Sequence, residues 1–287
     1  MYYGLSFPNG GLTGEPRTAA ELAALAEASG WDGIFLEDYI VWQGHQEVPT
    51  YDPWILLTGM ALHTERVKLG TLITPLPRRR PWKVAKEAVT LDHLSKGRLI
   101  FGAGIGDTMT SDVSFTHFGE VLDTKQRGQM LNEALDILAG LWSGERFHYE
   151  GEFYHIEEVT CLPRPRQRPR IPIWIGGGYP LKRPTRRALR WDGSCLYKQP
   201  TNGPWEDWSA TDVSTLRAMA AQQRGPDAPF DIALGGRHRD EDWDKERALI
   251  KSLADAGATW WVEYLPPQLG GRDVIREAVT RGPLRID

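Results

Sequence analysis

Eight short apolar runs recur along the chain. They begin near Tyr2 (YYGLSF), Asp32 (DGIFL), Val67 (VKLGTLI), Leu99 (LIFGAG), Ile171 (IPIWI), Ser194 (SCLY), Phe230 (FDIAL) and Thr259 (TWWVEY). Most are continuous rather than alternating, as in strands buried on both faces of a parallel sheet. Their starts lie about 23 to 36 residues apart, the length of a strand–helix unit, except for one gap of about 72. Helical stripes fill the spaces. Leu22, Leu25, Ala26 and Ser29 share one face, with Thr18 and Glu21 spaced as a capping box and Gly30 at the C-terminal position. Pro81 is placed for a first helical turn, followed by the stripe Val84, Ala88, Leu91 and Ser95, with Gly97 at its end. Met130, Ala134, Ile137, Leu138 and Leu141 form a third stripe, and Val274, Ile275, Ala278 and Val279 a last one.

Eight such repeats predict an α/β fold, a (β/α)8 TIM barrel. An open doubly wound sheet also alternates strands and helices. The segment after the first run, FPNGGLTGEP, lacks the GxGxxG spacing of the dinucleotide-binding version. Barrels run to roughly 250 residues as one unit. Residues 1–287 therefore read as a single barrel with an insertion after strand four, about 104–170. That insertion holds a polar loop, the helix near 124–142 and an alternating tail (Phe147, Tyr149, Phe153, Tyr154, Ile156) expected to form a hairpin. Insertions on barrels commonly sit over the C-terminal face, so it is expected to act as a lid.

Composition narrows the function. Lys plus Arg is 34 against 38 Asp plus Glu, a net charge of −4, without the basic excess of a nucleic-acid binder. No apolar run approaches the ~20 residues of a membrane helix. The opening MYYGLSFPNGG does not read as a secretory signal. The two cysteines, Cys161 and Cys195, make no disulfide framework, so a cytoplasmic setting is expected. The histidines show no HxH or HExxH spacing, so no metal site is expected, and neither GxSxG nor a Walker A sequence occurs.

In a barrel, chemistry collects at the C-terminal strand ends. The second run ends in Glu37, Asp38 and Tyr39, with Trp42 just beyond. Adjacent carboxylates there suit proton transfer or orienting a ligand N–H, and equally an ion pair with a neighbouring loop. GAGIG at 102–106 lets a flat ring lie against the backbone, or is a turn. GGG at 176–178, between a strand and a helix, reads as a phosphate cradle or a tight corner. The Arg-rich PRRRP (77–81) and PRPRQRPR (163–170) read as solvated loops or as a clamp for an anion. Among the 12 tryptophans, Trp42, Trp205 and Trp208 fall in loops expected near the active face, where they could wall a flat aromatic ligand.

The block GTLITPLPRRRPWKVAKEAVTLDHLSKGRLIFGAGIGD (70–107) joins several of these features. With it go DGIFLED (32–38), RGQMLNEALDILAGLWSGE (127–145), YEGEFY (149–154), IPIWIGGG (171–178) and LADAGATWWVE (253–263). Together, and in register over nearly the whole chain, they resemble the bacterial luciferase-like flavin- and deazaflavin-dependent oxidoreductases. The resemblance implies a barrel that binds FMN or the deazaflavin coenzyme F420 at its C-terminal face, commonly as a homodimer. It places the ring against Thr71, Leu72 and Thr74, at a strand end that in relatives holds a bulge or a non-proline cis peptide. Gly104, Ile105 and Gly106 line the ring, Gly176, Gly177, Gly178 and Tyr179 hold the phosphate end, and Asp38 neighbours the flavin.

The same resemblance implies an enzyme that performs hydride transfer or monooxygenation on a small organic substrate. Its catalytic positions are Asp38, Tyr39 and Asp107, the last matching an acidic Glu in some relatives. Trp42 and Lys198 are expected to meet substrate, with Gln43, Phe115, His117 and Trp205 nearby. Removal of Asp38 is expected to impair turnover more than folding. Many relatives carry Asp-His where this chain has Asp38-Tyr39. A tyrosine, with an ordinary pKa near ~10, is a poor base, which argues against sugar-alcohol oxidation by the mechanism that uses that His. One alternative is an FMN-dependent monooxygenase supplied by a partner reductase; another is a non-catalytic flavin-binding protein. The Arg-heavy loops (Arg78, Arg79, Arg80, Arg164, Arg166) tilt the expectation towards F420, whose tail is polyanionic.

Overall fold

A computed structural model describes residues 1–107, 113–199 and 206–286. The chain opens with β1 (Tyr2–Phe7), the short α1 (Gly11–Gly14) and α2 (Pro16–Ala28), then β2 (Gly33–Leu36) and α3 (Pro53–Leu62). Next come β3 (Lys68–Thr71), its brief continuation β4 (Thr74–Pro75) and α4 (Pro81–Leu94). β5 (Leu99–Gly104) leads through α5 (Val113–Thr116) to α6 (Thr124–Ser143) and a hairpin of β6 (Arg146–Glu150) and β7 (His155–Thr160). Four regular units finish the chain: β8 (Ile173–Tyr179) with α7 (Lys182–Arg190), β9 (Gly193–Lys198) with α8 (Ala210–Arg224), β10 (Asp231–Arg237) with α9 (Trp243–Asp255), and β11 (Trp260–Tyr264) with α10 (Arg272–Thr280).

The eight apolar runs all become strands, and they close on themselves. β1, β2, β3, β5, β8, β9, β10 and β11 pair in parallel around a ring, completed by the β3–β5 and β1–β11 ladders. Period-2 alternation divides their side chains between two cores. Ile34, Leu36, Leu99, Phe101, Ala103, Ile173 and Ile175 point outward under the helices. Phe35, Ile100, Trp174, Ala233, Trp260 and Val262 form a separate cluster inside the ring. Trp174 meets Trp260 edge-on at 5.4 Å and Phe35 at 5.5 Å, so aromatic side chains plug the barrel below its mouth.

Several local expectations change. α2 starts at Pro16, and Glu15 caps it by accepting the amides of Arg17 and Thr18. The proline fixes the first turn earlier than the Thr18/Glu21 spacing suggests, and Thr18 instead donates its hydroxyl to Glu15 at 2.7 Å. The triple glycine does not follow a strand but lies within β8, paired to β9 as far as Tyr179. The hairpin is present and packs on α6. Phe147 packs on α6 against Gly140, and Glu133 of α6 accepts the amides of Glu152, Phe153 and Tyr154. The Arg-rich stretch after it folds back to Asp92 of α4, which accepts the amides of Arg166 and Gln167.

Candidate functional site

At the C-terminal end of the barrel lies a cavity of about 1530 Å³. One wall is the end of β3. The peptide between Leu72 and Ile73 is cis, as the family resemblance anticipates for this strand end. Thr71 and Thr74 flank it, buried, with their hydroxyls 2.8 Å apart and Thr71 also donating to the Gly102 carbonyl. These threonines brace the loop, while Leu72 and Ile73 line the cavity.

The glycines opposite serve Ile73 first. A Cβ on Gly104 would sit 2.7 Å from Ile73 Cδ1, and one on Gly176 2.7 Å from Ile73 Cγ2. Gly177 has φ +147, and a Cβ there would meet the Pro184 ring at 2.8 Å. Glycine is therefore required both for the barrel mouth to hold Ile73 and for α7 to approach β8. Gly104, Ile105, Gly106, Gly176, Gly177 and Gly178 all line the cavity. Tyr179 does not; it is buried and stacks on Trp208 at 4.5 Å.

Two neighbouring carboxylates have opposite surroundings. Asp38 is buried and accepts from Arg78 at 2.9 Å and from Arg79 with both oxygens at 2.9 Å; Arg78 also bonds its backbone carbonyl. Its carboxylate is thus committed to two guanidiniums. Glu37 pairs with no cation among the described residues. Its Oε2 accepts the Trp42 indole N–H at 2.7 Å, and Oε1 takes no hydrogen bond from the described residues. Burial pushes the Glu37 carboxyl up to about 7, against the lowering influence of Trp42 and the Tyr264 hydroxyl. Tyr264 faces Glu37 without a hydrogen bond of ordinary geometry, and burial followed by the Glu37 charge raises its own pKa far above the tyrosine range. Glu37 lay in view at the strand end; what the sequence did not reveal is that Arg78 and Arg79, 40 residues on, claim only its neighbour.

The remaining expected residues divide. Tyr39 and Asp107 line the cavity. Asn9 clamps the Tyr39 backbone, donating to its carbonyl and accepting its amide. Lys198 also lines the cavity, but its ammonium bonds Asp212 and lies 3.5 Å from Glu206. Burial pulls its pKa down, and the Asp212 and Glu206 contacts outweigh this to leave it raised. Trp42 is buried behind Glu37 rather than walling the opening. Gln43 lines the cavity; Phe115, between Arg127 and Arg78, and the exposed His117 do not. Trp205 lies outside the described residues.

The arginine clamp is not where the sequence suggested. Arg78 and Arg79 are tied to Asp38, Arg80 lies over Trp82, and Arg164 and Arg166 line a shallow depression beside His93, away from the cavity. The basic rim comes instead from α6 and α7. Lys125, Lys182, Arg183 and Arg186 line the opening, exposed, and form no ion pair or hydrogen bond with the described residues. Beside them, Arg187 is held by Asn132 and Gly128, and burial together with Arg183 pushes its pKa down to about 10. The N-terminus of α7 has no side-chain cap, so the amides of Lys182 and Arg183 open next to the glycine cradle. Among the described residues, no group of three or more His, Cys, Asp or Glu is placed to hold a metal ion. No helix among them is long and apolar enough to cross a membrane.

A (β/α)8 barrel with its cavity at the C-terminal strand ends defines the class of barrels that carry their site on that face. Within it, residues 3–238 match the luciferase-like monooxygenase model, and the chain belongs to that family. A curated relative, an F420-dependent glucose-6-phosphate dehydrogenase of Microbacterium testaceum, is 35% identical over 180 residues, 61% of this chain and 50% of the relative. The chain spans about half the length of the curated relatives it matches. Among solved structures, an F420-dependent secondary alcohol dehydrogenase in complex with an F420–acetone adduct superposes with a TM-score of 0.74 at 18% identity, covering 98% of this chain and 99% of the other. The monooxygenase RslO1 from Streptomyces bottropensis gives 0.74 at 19%, covering 97% and 96%. At these identities the structural likeness bears on the fold.

Proposed function

We propose that the chain is a deazaflavin-dependent oxidoreductase that transfers a hydride between coenzyme F420 and a small organic substrate. The observation that supports this reading is the basic rim: Lys125, Lys182, Arg183 and Arg186, without acidic partners among the described residues, beside the uncapped start of α7. A single phosphate is satisfied by one helix N-terminus. Cations that continue beyond it suit a cofactor whose phosphate extends into a chain of carboxylates. The F420 dependence in the name of the Microbacterium relative agrees with that choice.

The residues present fit such a group. Leu72, Ile73, Gly104 and Ile105 offer an apolar, close-approach surface for a flat ring, the Lys182 and Arg183 amides a phosphate seat, and the rim a path for the tail. When bound, a deazaflavin supplies a two-electron hydride donor or acceptor. The chain supplies the rest. The buried Asp38–Arg78–Arg79 cluster ties the end of β2 to the loop after β4, and so sets the spacing between the Glu37 side and the ring surface.

The test is a fluorescence titration of the purified protein with polyglutamylated F420, a tail-less deazaflavin and FMN. Arg183→Glu with Arg186→Glu is expected to weaken polyglutamylated F420 by about tenfold or more at low salt, and less at high salt, because exposed charges are screened. The tail-less form should change by less than about twofold, since it lacks the charges the rim attracts. Tight FMN binding with no response to either deazaflavin would overturn the reading in favour of a reductase-supplied flavin monooxygenase.

A further inference from the structure

We propose that Glu37 is the proton-transfer residue of this site, the group that takes the proton from a substrate hydroxyl and returns it to a carbonyl oxygen. The inference rests on the hydride-transfer reading above and assigns the proton that reading leaves unplaced.

The geometry singles out one carboxyl. Glu37 follows the last residue of β2 and lines the cavity, with Oε2 fixed by the Trp42 indole at 2.7 Å and Oε1 uncommitted among the described residues. Trp42 thus engages Oε2, while the Tyr264 hydroxyl faces the carboxyl without a hydrogen bond of ordinary geometry. The charged and titratable groups around it are few. Asp38, next in sequence, is neutralised by Arg78 and Arg79. Tyr264 of β11 faces Glu37, and Tyr39 lies close to Tyr264. A half-buried carboxyl with no cation on it among the described residues favours its neutral form, and desolvation pushes it up to about 7. Two carboxyls side by side with environments this different mark a division of roles, one a fixed charge and one a proton carrier.

The balance is simple. As a substrate alcohol becomes a carbonyl, its C–H bond gives up a hydride, two electrons, to a deazaflavin-class acceptor. Its O–H bond gives up a proton to Glu37 Oε1, and the C=O bond forms. In the reverse direction neutral Glu37 returns the proton to oxygen as hydride reaches carbon. A general acid–base group works best with a pKa near the operating pH, a condition that Glu37 meets and an ordinary tyrosine does not.

The experiment compares wild type with Glu37→Gln, which keeps an acceptor for Trp42. The first readout needs no cofactor: the infrared carbonyl band of a protonated carboxyl, followed across pH 5–9. A band that disappears with a midpoint near 7 in wild type and is absent from the Gln variant is expected. The second is the pH profile of kcat/KM for a panel of secondary alcohols and of ketones with reduced deazaflavin. Its limb near pH 7 should vanish in the variant, with turnover down about 100-fold or more, as for loss of a general base. Deazaflavin affinity should stay within about twofold, because the substitution spares the ring surface and the rim. Failure of wild type to bind any deazaflavin would remove the cofactor reading and this one together. Deazaflavin binding combined with a Glu37 band in the ordinary carboxylate range, with an unchanged limb in the variant, or with no turnover across the panel would overturn this proposal alone.

Discussion

Asp38 shows how a strand-end carboxylate can hold a site without reacting in it. Its side chain is 1% exposed and that of Arg78 is 2%, so neither charge has water to fall back on. Removing one partner of a buried pair leaves the other uncompensated, at a cost of about 3–5 kcal/mol. Asp38→Asn is therefore expected to lower the unfolding free energy by about 3 kcal/mol in urea denaturation, the reverse of a residue whose loss spares folding. A loss below about 1 kcal/mol would mean that the pair is solvated and that Asp38 is available for other work. Gly104 makes a second residue-scale case. A methyl group there meets Ile73 at 2.7 Å, so Gly104→Ala should destabilise by about 1–3 kcal/mol through overpacking. Ile73→Val removes the Cδ1 atom in closest conflict and should restore part of that loss, a coupling that a double-mutant cycle measures.

At the scale of elements, the described residues of the insertion meet the cavity at the end of β5 and along α6. Thr124, Lys125, Gly128, Gln129 and Asn132 line the opening, and no described residue of the β6–β7 hairpin does. Glu133→Ala would strip the carboxylate that accepts three hairpin amides at 2.8–3.1 Å. Hydrogen exchange at 152–154 should accelerate while cofactor affinity stays unchanged; a parallel loss of affinity would show that the hairpin does cover the site. The strands were legible because a strand buried on both faces writes a continuous apolar run, and so was the order of the units. The hairpin's position was not, because it depends on contacts such as Asp92 with Gln167, which alternation within a segment does not encode. The candidate site was legible to the same depth. The strand-end rule points to Glu37, Asp38, Gly104 and Gly176–Gly178. It is silent on which carboxylate meets Arg78, or that the rim cations come from α6 and α7 rather than from the two Arg-rich loops.

For the whole molecule, the partial burial of Glu37 ties stability to pH. Its folded pKa of about 7 lies above its ordinary value of 4.5, so between those values the folded state binds more protons than the unfolded chain. Stability then falls as pH rises through this window, and the loss is complete above about 7. Each tenfold change in proton affinity corresponds to about 1.4 kcal/mol, which puts the full contribution on the order of 3 kcal/mol. Glu37→Gln removes this one titration and leaves every other group in place, so the difference between variant and wild type isolates it. The variant should match wild type most closely below about pH 4.5 and gain progressively above it, becoming more stable by about 3 kcal/mol at pH 8. Denaturation curves at several pH values measure that difference directly. A constant offset from pH 5 to pH 8 would mean that Glu37 ionises as freely in the fold as in water, and the cavity would then have no carboxyl poised near neutrality.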